Sequence, residues 1–416
     1  MKKDRRVVIT GMGVISCIGT GLETYWQNLL AGKSGIRRIT QFDASKFPCQ
    51  IAGEVPDFDP DVYMDKKEAR RISRGAQMAL AAGQLALKDA NLTYPLADPE
   101  RAGVSYGTAI GGTDKLDDGI STIRTSGFDR LNPFVIPASL PNSPAFVMAR
   151  EFQCLGPSNT VTTACATGTQ AVGEGAELIW RGSADLVIAG GSEAVIRDFA
   201  IGGFCAMRAL PISYNDMPEK ASRPFEKDRD GFIYSEGAAI LILETLEHAQ
   251  ARGARIYAEI GGQASSCDGL HPAAPDPEAN GPARAMKWAL ESAGLRTEQI
   301  DYINAHGTGT QANDSTETKA IKKVFGDHAY KVAISSIKSM IGHSMGASGA
   351  LEAIACAMTI HEGKIAPTIN YDQPDPELDL DYVPNIMRAQ PVRAALSNSF
   401  GLGGQNACLV LKRYEE

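Results

Sequence analysis

The chain has 416 residues, 44% of them hydrophobic and 22% charged, with a formal net charge of −8. This is soluble globular composition, long enough for two large halves, and the acidic balance argues against general nucleic-acid binding. No apolar run reaches the roughly 18 residues of a membrane span, and eight scattered cysteines without Cys-x-x-Cys spacing predict a reduced, cytoplasmic setting with no disulfide framework.

Strand-like and helix-like runs alternate along the chain, which predicts α/β layers with both sheet faces covered. The first strand is expected at Val7–Thr10, ending in Gly11-Met12-Gly13. The run to Ser16 resembles a dinucleotide-binding turn, but Ser16 stands where the third glycine is needed. The pattern predicts a helix over 68–91. Lys66, Lys67, Arg70, Arg71 and Arg74 recur there at spacings that share roughly one helix face. On an acidic protein such a face is either solvated surface or a docking site for an acidic partner. Strands are expected at Arg101–Tyr106 and Asp185–Ala189, and further ones at Ala238–Leu243, Tyr257–Ile260, Ile300–Ala305, Val332–Ser335 and Cys408–Leu411. Helices are expected at Ala283–Ala293 and Ala347–His361.

Cys165 lies between a β-branched run, read as a buried strand, and a small-residue helix that Gly182 stops. A thiol at a strand-to-helix turn sits near free N–H groups and the positive end of a helix. That favours thiolate and holds an oxyanion. An inert buried cysteine is the competing reading. The strand–turn–helix pattern recurs weakly at 332–361.

Of six histidines, His248, His328 and His361 read as solvated surface, and His271 lies in a Pro-rich loop. His306 ends a strand and opens Gly307-Thr308-Gly309-Thr310, and His343 lies between Gly342 and Ser344. Glycine-flanked strand ends are where α/β proteins place reactive groups. One histidine with the cysteine suits a thiolate–imidazole hydrolase or transferase. Two neutral imidazole donors also suit an enolate oxygen. Lys338 would disfavour protonation of either histidine and favour the thiolate, and a buried lysine needs a partner, for which Glu352 is the candidate. A zinc site from Cys165, His306, Asp314 and His343 has the residue types but no paired spacing.

The motifs Thr162-Thr-Ala-Cys165, Ala189-Gly-Gly-Ser-Glu193, Ser222-Arg-Pro-Phe225, Arg229-Asp-Gly-Phe232, Asn304-Ala-His306-Gly-Thr-Gly-Thr310, Lys338-Ser-Met-Ile-Gly-His343 and Asn398-Ser-Phe400-Gly-Leu-Gly-Gly404 run in one order. In that order and spacing the chain resembles the β-ketoacyl-acyl-carrier-protein synthases, type II, from Arg6 to about Lys412; Thr108-Ala109-Ile110-Gly-Gly also favours that type. The resemblance implies a thiolase fold, two similar halves in five αβαβα layers, here residues 1–255 and 256–416, working as a homodimer. It implies that Cys165 takes an acyl chain from acyl carrier protein. His306 and His343 then hold malonyl-carrier protein during decarboxylation, and a 3-oxoacyl chain results. By the same resemblance the N–H groups of Cys165 and Leu402 form an oxyanion hole, with Phe400 beside the gate. Lys338 and Glu352 support the histidines. Thr308 and Thr310 bond the pantetheine arm, Ile110 and Asp268 contact substrate, and Lys66, Lys67, Arg70 and Arg71 dock the carrier. No cofactor is implied beyond the phosphopantetheine that the carrier brings.

Three positions depart from the family pattern. Leu402 stands where an aromatic is usual, Gly309 replaces a serine, and Tyr214 stands where a basic residue often meets the carrier. These leave two alternatives open: a ketosynthase of a specialised acyl or polyketide pathway, and a non-catalytic chain-length partner subunit. The second lacks a nucleophile, whereas Cys165 is present. A thiolase needs a cysteine ahead of its C-terminal glycine loop, and Cys408 follows Gly401-Leu-Gly-Gly404.

Overall fold

The computed structural model describes residues 5–415. Among them, one sheet path runs through two sets of five strands. The first set is β1 (Val7–Ser16), β2 (Ala102–Gly107), β3 (Ser158–Val161), β4 (Leu186–Glu193) and β5 (Gly237–Thr245). The second is β6 (Ala258–Cys267), β7 (Tyr302–Asn304), β8 (Ala333–Ser335), β9 (Ala394–Gly401) and β10 (Gln405–Lys412). The order is β8-β7-β9-β10-β6-β1-β5-β4-β2-β3. In each set the second strand lies parallel to the third and fourth, and the path then turns antiparallel through the fifth to the first. The two sets therefore have the same topology, joined where Val7 of β1 meets Ile260 of β6.

The helices that matter are α1 (Arg74–Asp89), α2 (Ser143–Phe152), α3 (Thr167–Trp180), α4 (Asn280–Ala293), α5 (Gln311–Phe325) and α6 (Ser348–Glu362). Helices α1 and α2 cover the outside of the first five strands, and α4 and α5 the outside of the second. Helices α3 and α6 lie between the two sets and touch both. This is the five-layer thiolase-type architecture. The central helices meet closely at their N-termini: a Cβ on Gly349 would lie 2.3 Å from the Thr169 amide nitrogen. Small residues let the two backbones approach, which brings the turns ahead of α3 and α6 together.

Several expectations need correction. Strand β1 does not stop at Thr10 but continues to Ser16, with a register shift between Ile9 and Gly11 against β5. Its glycines serve packing: a Cβ on Gly13 would lie 2.0 Å from the Ala82 carbonyl oxygen of α1. The helix expected at 68–91 is two pieces, Lys66–Ala69 and α1, because Ser73 caps α1 by accepting from the Ala76 amide. Arg74 consequently leaves the basic face and turns inward to Glu236, 2.8 Å away. Strand β3 is a sheet edge, with Ser158 exposed and the rest half-buried, not a buried strand. Strand β9 was not anticipated. His248 is no free surface histidine, since it pairs with the buried Glu244 carboxylate.

Candidate active site

Cys165 occupies a 3-10 turn, Ala164–Ala166, between β3 and α3. Ala164 has φ 50°, a left-handed conformation that swings the next residue inward. His343 enters by another route. Its backbone lies beside Tyr234, its N–H donating to the Ile233 carbonyl at 2.7 Å. His306 follows β7, where its own N–H and that of Gly307 both donate to Glu317 of α5, each at 2.8 Å. A donor atom from each of Cys165, His306 and His343 lies within 4.8 Å of the others, and all three residues are buried. The two imidazole rings stand edge to face with centroids 5.4 Å apart, and Phe232 and Phe400 flank them at 5.3 and 5.7 Å.

Electrostatics divides this trio. Burial lowers both imidazoles well below their ordinary range, and the Lys338 ammonium pushes the same way. Both histidines are therefore neutral at physiological pH. Ser348 lies 2.9 Å from His343 Nδ1. With that hydroxyl donating, the ring proton sits on Nε2, which is buried and has no protein partner. Nδ1 of His306 is also buried without a partner. The cysteine differs from expectation. Burial pushes its thiol up to about 11, outweighing the Leu402 N–H and Lys338, which act the other way. Burial thus opposes the thiolate that the helix end favours.

Lys338 and Glu352 form a fully buried ion pair beneath the histidines, and Ser399 donates to the same carboxylate at 3.4 Å. Burial pushes the Glu352 carboxyl up to about 7 while Lys338 opposes it. Asp314, the fourth ligand of the zinc alternative, is held elsewhere by the Phe225 amide at 2.8 Å and the Gly309 amide at 3.2 Å. The remaining trio has the donor types for a thiophilic cation but not that fourth ligand.

A cavity of about 550 Å³ runs to Cys165 and both histidines, lined by Thr308, Thr310, Asp268, His271, Phe400 and Leu402 among others. Thr308 and Thr310 place their hydroxyls 3.1 Å apart. Asp268 accepts from Asn406 at 2.8 Å and from the Asp276 amide at 3.0 Å, tying the 268–276 loop to β10. Ile110 is not in this cavity. It packs in an apolar cluster on the Cys165 side, with Ile201, Phe204, Phe232 and Met345. Of the basic residues, Lys67 and Arg70 are exposed and unpaired, while Lys66 pairs with Asp61 and Arg71 with Glu68.

Three contributors escaped the sequence reading. Met345 puts its sulfur 3.8 Å from the Cys165 thiol. Ser348 holds His343. Glu317 went unremarked, and it belongs with Asp314, Thr318, Ile321 and Phe325 to one buried face of α5. Ile321 and Phe325 were the available signal, because they mark which face points inward.

Residues 4–249 match the model of the β-ketoacyl synthase N-terminal domain, and residues 257–372 that of its C-terminal domain. The chain belongs to the β-ketoacyl synthase family. It is 49% identical over 413 residues to the 3-oxoacyl-(acyl-carrier-protein) synthase 2 of a Synechocystis species, covering 99% of each chain. The solved ishigamide ketosynthase/chain length factor superposes with a TM-score of 0.92 at 43% identity, over 99% of this chain and 100% of that one. A second structure is the AntDE:AntF complex, a type II polyketide acyl-carrier protein with its ketosynthase bound to the hexaketide. It gives a TM-score of 0.92 at 35% identity, over 99% and 100%. This β-ketoacyl synthase is thus an acyl-transferring condensing enzyme of a family that engages acyl carrier protein. Among its described residues no helix is long and apolar enough to cross a membrane.

Proposed function

We propose that the protein elongates fatty acyl chains, condensing an acyl group held on Cys165 with malonyl-carrier protein. The observation that carries this is the buried trio of Cys165, His306 and His343, with donor atoms within 4.8 Å of one another at the end of a single cavity. In the first step the Cys165 sulfur attacks the carrier thioester as a neutral imidazole takes its proton. The pantetheine thiol leaves, and the oxyanion is met by the Cys165 and Leu402 N–H groups. In the second step the malonyl thioester oxygen accepts from His306 and His343. Carbon dioxide departs, and the electrons of the broken C–C bond form an enolate. The enolate carbon attacks the acyl-Cys165 carbonyl, a C–C bond forms, the C–S bond breaks, and the released Cys165 thiolate takes a proton from solvent, its first proton having left on the pantetheine thiol. Neutral imidazoles suit this role, because each offers an N–H in a water-poor pocket without carrying a charge of its own. Lys338 and Glu352 keep the histidines placed and unprotonated. Thr308, Thr310 and Asp268 line the route of the pantetheine arm, and Lys67 and Arg70 offer the free charge for an acidic carrier.

The two catalytic halves divide between residues 255 and 256, just after the helix that follows β5. We place the enzyme in the cytoplasm as a homodimer. The exposed apolar residues Ile123, Phe128, Ile136 and Phe146 support self-association, as does the open sheet edge at β3. Intact-protein and peptide mass spectrometry tests the reaction. Acyl-carrier protein should leave an adduct on Cys165, and malonyl-carrier protein should remove it as 3-oxoacyl product. No adduct with any chain from short to long would leave a partner subunit as the better reading. A polyketide starter accepted in preference to every fatty acyl chain would move the enzyme to a specialised pathway.

A further inference from the structure

Glu193, the last residue of β4, is an acid 1% exposed in the layer beneath the nucleophile. Among the described residues its carboxylate meets only N–H and O–H donors. Thr108 Oγ1 donates at 3.0 Å, the Ala109 amide at 2.7 Å and the Ile110 amide at 3.4 Å. The Gly111 amide then donates to Thr108 Oγ1 at 3.1 Å, so the loop after β2 wraps around the carboxylate. A donor from the other half completes the set: the Gly346 amide, 3.2 Å from Oε2.

The duplicated fold gives that last contact a meaning. Ala164 at φ 50° and Met345 at φ 42° each open a 3-10 turn at the head of a central helix. Cys165 follows the first and Gly346 the second. The Gly346 N–H is therefore the counterpart of the Cys165 N–H. In one half the turn lines the cavity with Cys165; in the other the N–H is taken up by Glu193. No side chain fits at 346, where a Cβ would lie 2.7 Å from the Ala109 nitrogen and 2.9 Å from Glu193 Oε2. A buried acid without a cation is costly, and burial raises this one to about 7. Its effect is to tie two walls together. The loop carries Ile110, which packs in the apolar cluster with Cys165, and the turn carries Met345, in contact with the thiol.

We propose that Glu193 is a positioning residue that locks the Ile110 loop to the Met345 turn, so that both walls are set together and decide which acyl chains Cys165 accepts. This rests on the reading of Cys165 as the acylated nucleophile. Glu193→Gln puts an amide N–H₂ among donors and breaks one of the ties. Thr108→Val removes only the hydroxyl, and Thr108→Ser restores it.

The experiment offers the enzyme an equimolar set of acyl-carrier proteins from short to long and reads the acyl-Cys165 adducts by mass, with melting temperature recorded for each variant. Glu193→Gln should shift the adduct distribution between short and long chains by about tenfold, the loss of a buried hydrogen bond or more. Thr108→Val should shift it in the same direction, and Thr108→Ser should return it to the wild-type pattern. A merely structural role would lower the melting temperature and leave the distribution unchanged. Wild-type distributions in folded Glu193→Gln and Thr108→Val overturn the proposal; if Glu193→Gln does not fold, Thr108→Val alone decides. If the wild type forms no adduct at all, the nucleophile reading fails, and this inference falls with it.

Discussion

Replacing His343 with alanine separates the two half-reactions. In the proposed mechanism the ring supplies one of two N–H donors to the malonyl thioester oxygen, and among the described residues its Nε2 has no partner to compensate. Losing one oxyanion donor of two typically costs about 10²–10³ in rate, roughly 2.7–4 kcal/mol. Acylation needs neither that oxygen nor decarboxylation, and His306 remains as a base, so Cys165 should still load. The assay is single-turnover. The enzyme is first acylated, malonyl-carrier protein is added, and carbon dioxide and 3-oxoacyl product are followed together. His343→Ala should form the adduct and then condense about 10²–10³ times more slowly. His343→Gln, whose amide can place an N–H near the position of Nε2, should recover part of the loss. The truncated ring also leaves a hole beside Phe232, 5.3 Å away, so a melting curve must accompany the kinetics. Near-normal condensation would refute the donor role. Acylation falling in step with condensation would refute the division and make His343 the base for the thiol.

Lys338→Met should destabilise the fold by about 3–5 kcal/mol, because it strands the Glu352 carboxylate in the core; chemical denaturation measures this, and a change under 1 kcal/mol would show that the pair is not charged. Gly13→Ala should cost about 1–3 kcal/mol from overpacking, since its Cβ would lie 2.0 Å from the Ala82 carbonyl oxygen; an unchanged midpoint would mean that α1 yields freely. Glu317 is raised to about 7 by burial. A raised carboxyl binds its proton in the folded chain first, so its stabilising contribution grows as pH falls from about 7 toward the ordinary value near 4.3 and is lost as pH rises through 7. The stability of wild type relative to Glu317→Gln should therefore improve between pH 8 and pH 5; an unchanged difference over that window would show that the N–H donors hold Glu317 ionised.

The reactive residues were legible in the sequence because their surroundings are unusual. Glycines and a small-residue helix beside Cys165, His306 and His343 serve no ordinary core. The layer architecture followed from alternation, but the duplication was faint, because it resides in strand order and direction. Strand β9 was hidden because Ala394–Gly401, buried up to Phe400, alternates no polar face with an apolar one and carries no β-branched residue, only Leu396 and Phe400 among Ala, Ser, Asn and Gly. The basic helix was misjudged because i, i+4 spacing assumes one continuous helix, and Ser73 breaks it. The burial of Cys165 was hidden for a related reason. Sequence reveals the helix end that favours thiolate but not the depth of burial that opposes it.

That burial sets a conflict within one site. The histidines must be neutral to donate, and burial secures it; the cysteine must be a thiolate to attack, and burial opposes it. Burial raises the thiol and lowers the imidazole, so proton transfer from one to the other is uphill at rest. Attraction between the resulting ions returns part of that cost. Burial therefore favours the neutral pair before substrate arrives. In the proposed mechanism the proton moves as sulfur meets the thioester carbon, when the negative charge passes on to an oxygen held by the Cys165 and Leu402 N–H groups. Two observations should follow. Alkylation of Cys165 by iodoacetamide should rise about tenfold per pH unit to beyond pH 9, as for a thiol still protonated there. Acylation by the carrier thioester should be far less pH-dependent and slower in heavy water. An alkylation plateau below pH 8 would mean a preformed thiolate, and the helix end rather than burial would then govern the nucleophile.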